Sequence, residues 1–261
     1  MAPSIPDILA RIVARKKEEH TEKARFRKGL EQNARFQIGQ RRDFRKALEA
    51  RRPSVISEIK KASPSKGLLS PDFNPATQAR SYLDGGASAL SVLTDRDFFQ
   101  GSLSDLKTAR ATVPLPVLRK DFTIDELDII EAAASGADAI LLIAAILTRD
   151  EMERFRKVAA SYEMAALVEV HADDELDRAL ESGAEIVGVN NRDLRTFNVD
   201  LATSERLAVR MPGGVLKVAE SGIHSRADVE RLLDAGFQSF LVGEHLMKSQ
   251  DPAAALRALL A

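Results

Sequence analysis

The chain has 261 residues, no cysteine, no tryptophan and a net charge of −1 at pH 7, with 44% hydrophobic and 30% charged residues. That composition excludes intrinsic disorder, disulfides, thiolate metal sites and cysteine nucleophiles, and it fits a reducing compartment. The longest wholly apolar run, Ala139 to Leu147, is far short of the roughly 20 residues that a membrane-spanning helix needs. Arg11, Arg15, Lys16 and Lys17 interrupt the N-terminal apolar positions too early for a secretory segment. A cytoplasmic protein with no membrane partner is expected.

The charge is unevenly spread. Residues 11–52 hold 15 Lys/Arg against 6 Asp/Glu, a pattern that suits a solvated helix face, an arm for nucleic acid or a lid over an anionic ligand. Ile5, Ile8, Leu9, Ile12 and Val13 recur at helical spacing after Ser4, with Pro6 and Asp7 suited to a first turn, and predict a short amphipathic helix. A polar connector follows. Arg42 to Arg51, with Phe44, Ala47 and Leu48 on one side, predicts a second helix that ends before Pro53. Residues 1–52 are therefore an N-terminal helical extension, and 53–261 form the main body.

From Val55 onward the pattern becomes regular. Strand-like runs stand at Val55–Ile59, Ala89–Leu93, Val117–Lys120, Ala139–Ile143, Ala166–Val170, Ile186–Asn190, Leu216–Ala219 and Phe240–Val242. Their centres lie roughly 20 to 35 residues apart, the length of one βα unit, with helical patterns between them. Gly85-Gly86, Gly136, Gly183 and Gly236 each follow a helical stretch and precede a strand, where a left-handed cap is expected. Eight such units predict an α/β fold, a single-domain (β/α)8 barrel with extra N-terminal helices. The competing architecture, a doubly wound open sheet, would usually carry a GxGxxG turn after its first strand, and none is present.

All strand C-termini of such a barrel open on one face, and that face carries the chemistry. Strand side chains alternate, so Lys120 points the way Leu118 points, towards the interior. The other strand ends supply Glu58 and Lys60, Glu169, Asn190 and Arg192, Glu220-Ser221-Gly222, and Gly243-Glu244. Each alone has a structural explanation as a salt-bridged end, a turn residue or a helix cap. Several carboxylates and lysines converging on one mouth predict a catalytic site with shifted pKa values. Glycines in the loops after strands seven and eight, the latter opening a helical start at Glu244-His245-Leu246, predict a phosphate cradle. Glu244 must then turn its carboxylate away from the phosphate. Lys60 to Gly67 is a loop of cations and hydroxyls suited to a second anion, and Phe98, Phe99 and Phe122 are placed to line an apolar slot. The four histidines show no ligand spacing, so neither a metal nor a cofactor is expected.

Five stretches taken together, Ser57 to Gly67, Leu118 to Phe122, Leu167 to His171, Asn190 to Leu194 and Ala219 to Ile223, resemble indole-3-glycerol phosphate synthase of tryptophan biosynthesis. The resemblance runs from about Ile5 to the C-terminus. It implies a (β/α)8 barrel that converts 1-(2-carboxyphenylamino)-1-deoxyribulose 5-phosphate to indole-3-glycerol phosphate with release of carbon dioxide and water. Position by position it implies Lys120 as general acid and Glu169 as the carboxylate assisting dehydration, with Glu58 and Lys60 as partners. Asn190 and Ser221 would orient hydroxyls, while Arg192 and Glu220 hold the network. Lys60, Ser63, Ser221, Gly222, Gly243 and Glu244 match the anion-binding positions, and Phe99 with Phe122 the slot for the aromatic ring. Some members of the family carry serine where Glu244 stands, so a phosphate contact here would be through backbone N–H.

The resemblance also favours a helical extension packed on the barrel mouth over a nucleic-acid arm, and a monomer or weak homo-oligomer acting on a phosphorylated small molecule. Two alternatives remain at this stage. One is another phosphate-binding barrel, an isomerase or a lyase with Lys120 as Schiff-base nucleophile; the other is a non-catalytic barrel whose basic arm binds nucleic acid.

Overall fold

A computed structural model describes residues 7–64, 67–70 and 72–261 of the chain. Ser4, Ile5 and Pro6 of the expected first turn, and Ser65 and Lys66 of the loop after the first strand, lie outside the described residues. The chain begins with α1 (Asp7–Lys23), a single 3-10 turn (Ala24–Phe26), α2 (Arg27–Phe36) and α3 (Phe44–Glu49). The expected polar connector is thus largely helical, which corrects the sequence reading. Its cause is a charged stripe in place of an apolar one: Lys16, His20 and Lys23 share one face of α1, spaced at 4 and 3 residues. They meet Asp95, Asp121, Asp128 and Glu131 of the barrel at 2.8–3.3 Å. A search for apolar periodicity does not register such a face.

Eight parallel strands then close on themselves: β1 (Ser54–Ile59), β2 (Ala89–Leu93), β3 (Val117–Lys120), β4 (Ala139–Ile143), β5 (Ala165–Val170), β6 (Ile186–Asn190), β7 (Leu216–Glu220) and β8 (Ser239–Val242). β1 is bonded to β2 on one side and β8 on the other, which removes every free edge. The expected strands agree with the observed ones to within a residue or so. A two-residue antiparallel pair, Ala62–Ser63 with Gly67–Leu68, closes the loop after β1.

The crossovers are α4 (Pro75–Gly85), α5 (Leu103–Thr112), α6 (Glu126–Ala134), α7 (Arg149–Ser161), α8 (Asp173–Glu181), α9 (Ala202–Ala208) and α10 (Arg226–Asp234), followed by α11 (Glu244–Met247) and α12 (Pro252–Leu260). Polar residues start several of them. Asn74 accepts from the N–H groups of Ala76 and Thr77 ahead of α4, and Thr148 with Glu151 and Ser225 with Asp228 form reciprocal caps.

Alternation along the strands produces two cores. Val55, Val117, Val168 and Phe240 face outward into the layer shared with the helices, whereas Ile56, Leu118, Leu167 and Leu241 fill the barrel interior. Phe44 and Leu48 of α3 belong to that interior group. At the other end of the barrel, Leu9 and Ile12 of α1 join it too, so the extension reaches both ends of the cylinder. Arg41 and Arg42 donate to the carbonyls of Ala133, Ala137, Val113 and Leu115 at 2.6–2.9 Å, which ties the segment before α3 to the ends of α5 and α6 and the turns that follow them. No helix among the described residues is long and apolar enough to cross a membrane.

Asp138 is the polar keystone at the bottom. Its buried carboxylate accepts from the Arg42 and Val117 N–H groups, both at 2.9 Å, and from Arg110 at 3.0 Å. Asp138→Ala would strand these donors, and we expect it to lower the unfolding free energy by about 3–5 kcal/mol, read from the urea midpoint. A loss below about 1 kcal/mol would show that the donors find other acceptors.

Candidate active site

The alternation that sends Ile56, Leu118, Leu167, Gly188 and Val218 inward places the next inward residue of each strand at its C-terminal end. Those residues are Glu58, Lys120, Glu169, Asn190 and Glu220. Every residue named above as catalytic or binding lines one cavity at this mouth, Ser63 and Glu244 included. Phe98 does not. Its N–H is bonded to Asp95, whereas Phe99 and Phe122 both line the cavity and contact each other in a tilted pair, with ring centroids 6.1 Å apart.

Lys120 is at the centre. Its Nζ lies 2.5 Å from Glu169 Oε2 and 2.9 Å from Glu220 Oε2. Glu169 Oε1 accepts from Asn190 Nδ2 at 3.1 Å and lies 3.3 Å from His171 Nε2, and His171 in turn leans on Glu175. Glu58 Oε1 pairs with Lys60 Nζ at 2.6 Å. Space for the buried carboxylates comes from glycine: a Cβ at Gly243 would overlap the Glu58 carboxylate, and one at Gly188 the Glu220 carboxylate.

Electrostatics separates these groups. Burial disfavours the charge on Lys120, but Glu169, Glu220 and Glu58 outweigh it and hold the lysine above its ordinary pKa. Burial likewise opposes ionisation of Glu169, yet Lys120 and His171 keep it well below the usual carboxylate range. Glu220 is raised to about 7 because burial, together with the charges of Glu169 and Glu58, exceeds the help from Lys120. Its Oε1 has no hydrogen-bond donor among the described residues. One cation between two carboxylates cannot serve both equally, and Glu169 is favoured because Asn190 and His171 also hold it. His171 itself is pushed up to about 10: burial lowers it, but Glu169 and Glu175 prevail.

Beyond β7 the backbone turns through positive φ at Ser221 and Gly222 (65° and 78°), and Val199 packs where a Gly222 side chain would go. The helix cap that follows is Ser225, not Ser221. Past β8, Gly243 caps α11. The Glu244 carboxylate is held by Lys248 at 2.6 Å and by Arg192 at 3.5 Å.

Sequence reasoning did not find Ile8, Leu9 and Ile12 of α1 as cavity walls, nor Leu194 and Phe197 from the loop after β6, nor His224 and His245, whose rings stand edge to face 5.9 Å apart at the rim. The apolar stripe of α1 was visible, but nothing local says which surface it covers. Among the described residues no group of three or more His, Asp or Glu is arranged to hold a metal ion.

A family model and the curated relatives agree on one family. A family model described as indole-3-glycerol phosphate synthase matches residues 9–259. The chain is 50% identical over 260 residues to the indole-3-glycerol phosphate synthase of Polaromonas naphthalenivorans, covering 97% of this chain and 98% of that protein. It is 51% identical over 222 residues to the one from Koribacter versatilis, covering 84% of this chain and 85% of the relative. Among solved structures, a thiamine phosphate pyrophosphorylase from Pyrococcus furiosus superposes with a TM-score of 0.60 at 18% identity, over 80% of this chain and 94% of that one. That likeness carries the barrel fold alone.

Folding takes up a proton at Glu220 in the window between the ordinary glutamate value and about 7. This group therefore favours the folded state below the window, and its contribution is lost as the pH rises through it. Carbon-13 NMR of the glutamate carboxyls should show Glu220 titrating near 7, and higher still in Lys120→Met. A midpoint at the ordinary value of about 4.3 would contradict this electrostatic picture.

Proposed function

This chain belongs to the indole-3-glycerol phosphate synthase family, and from that premise we propose how the residues at its mouth divide the work. The enzyme is a carboxy-lyase of tryptophan biosynthesis. It closes the pyrrole ring of 1-(2-carboxyphenylamino)-1-deoxyribulose 5-phosphate, releasing carbon dioxide and water. The attacking atom is an aromatic ring carbon, a weak nucleophile, so protonating the ketone is where a side chain helps most.

Lys120 is the general acid for that step. The observation that carries the assignment is its ammonium, buried at the mouth between Glu169 and Glu220 at 2.5 and 2.9 Å. A lysine held charged carries the proton that the step must deliver, and it is a poor Schiff-base nucleophile because that role needs the neutral amine. The same carboxylates thus favour acid catalysis over the lyase alternative. Loss of carbon dioxide restores the benzenoid ring. Dehydration then requires a proton on the departing hydroxyl and removal of one from the neighbouring carbon. Glu169, kept as an anion, suits the second task, and the Glu58–Lys60 pair at 2.6 Å exchanges the protons. Asn190 and Ser221 orient hydroxyls, and Arg192 and Glu220 hold the charge network.

The phosphate lies on the backbone N–H groups around Gly222 and Gly243 with Lys60 and Ser63 nearby, and Glu244 stays engaged with Lys248 and Arg192. The aromatic ring packs against the apolar wall that Phe99 and Phe122 form together. Much of the basic N-terminal segment is occupied internally: Lys16, His20 and Lys23 meet carboxylates, and Arg41 and Arg42 meet carbonyls. That supports a phosphorylated small molecule as the partner, with no role for nucleic acid, in a cytoplasmic enzyme that is monomeric or weakly self-associating.

Purified protein given the substrate should generate indole fluorescence over a low background, since the chain has no tryptophan. Lys120→Met and Glu169→Gln should each lower kcat by roughly 10²–10⁴-fold with the fold intact; near wild-type turnover in either would remove its role. Borohydride added during turnover should leave no adduct on Lys120.

A further inference from the structure

We propose that Lys16 of α1 is a positioning residue for the aromatic half of the substrate, acting through Asp95 and Asp121 on the two phenylalanines, Phe99 and Phe122, that line the phenyl slot. Lys16 is only 3% exposed, although it lies on a helix whose other lysine nearby, Lys17, faces solvent. Its Nζ bridges Asp121 Oδ1 at 2.8 Å and Asp95 Oδ2 at 3.0 Å, with Glu19 at 3.5 Å.

The two aspartates are the ones that fix the slot. Asp95 accepts the Phe98 N–H at 2.7 Å, one residue before Phe99, and Asp121 accepts the Phe122 N–H at 2.8 Å. Asp121 also takes Thr94 Oγ1 at 2.5 Å and Arg119 Nη2 at 3.0 Å, and it directly follows Lys120 in the chain. One ammonium therefore links the loop after β2, the loop after β3 and the helix above them. Burial weakens the Lys16 charge, but the aspartates more than restore it, and Asp121 in turn is held ionised by Arg119 and Lys16 against its own burial.

The same face of α1 carries Leu9 and Ile12 on the N-terminal side of Lys16, and both line the cavity. His20 and Lys23 on the C-terminal side are anchored to Asp128 and Glu131. Arg15, half exposed, also pairs with Asp97 of the loop after β2 at 2.5 Å, but Lys16 is the buried tether that joins both loops to α1 just before the apolar turns that roof the slot. Without it the C-terminal half of α1 remains docked, while the roof and the two phenylalanine-bearing loops lose their common reference point. A residue acting in this way governs how well the ring is held, and leaves the proton transfers at Lys120 and Glu169 to their own partners.

The inference rests on the ring occupying the Phe99–Phe122 slot, so the test carries Phe99→Ala as a control. Lys16→Met should raise KM for the substrate roughly tenfold or more while kcat falls less than about threefold. Inorganic phosphate, as a competitive inhibitor, should keep its inhibition constant. Lys16→Arg should restore KM to within about twofold of wild type. If Phe99→Ala raises KM and Lys16→Met does not, the role of Lys16 is overturned while the slot stands. If neither changes KM, the slot itself is misassigned and both fall. Equal losses in kcat and KM, or loss of the folded helical signal by circular dichroism in Lys16→Met, would make Lys16 a general structural residue and overturn the proposal.

Discussion

Lys120 lies inside the barrel with its ammonium 2.5 Å from Glu169 and 2.9 Å from Glu220. A buried charge without partners costs several kcal/mol, so this one exists only because the barrel closes and brings β3, β5 and β7 to the same depth. The period-two alternation of the strands, which sends Leu118, Leu167 and Leu216 into the interior, leaves Lys120, Glu169 and Glu220 at the rim of the same layer. Packing and chemistry are consequences of one register. A slip of one residue in any of these strands would send the charged side chain at the mouth into the helix layer.

Two carboxylates around one cation also create inequality. Glu169 collects Asn190 and His171 in addition to Lys120, whereas Glu220 has an oxygen that no donor among the described residues reaches. The site therefore holds one firm anion and one carboxyl near neutrality beside a firm cation, groups whose differing proton affinities suit successive acid and base steps. The N-terminal extension adds a roof of Ile8, Leu9 and Ile12 to the mouth and sends Phe44 and Leu48 of α3 into the interior group.

Much of this was legible in the sequence because it is local. Strand runs bounded by glycines at 136, 183 and 236 announced the repeat, and the inward direction of Lys120 followed from Leu118 two residues earlier. The motifs from Ser57 to Ile223 carried the family resemblance, and the family match bears out both barrel and reaction. What was not legible depends on partners far apart in the chain. The stretch between Val13 and Arg42 looked like a polar connector because the second half of α1 is secured by Lys16, His20 and Lys23 against Asp95, Asp121, Asp128 and Glu131. Likewise, that Glu169 and Glu220 differ in proton affinity depends on Asn190 and His171 reaching one and not the other, and no spacing within a single strand encodes it. Arg119, next to Lys120, gave no sign in the sequence that it would be buried on the outer face with Asp121 and Glu131.

The central claim, that the ammonium between these carboxylates protonates the ketone, is most directly tested by a crystal structure with the reduced substrate in which that ketone is an alcohol. The account predicts Lys120 Nζ within hydrogen-bonding distance of the alcohol oxygen, the phosphate against the backbone at Gly222 and Gly243, and the ring packed against Phe99 and Phe122. An alcohol oxygen turned away from Lys120 and bonded instead to another donor would contradict it.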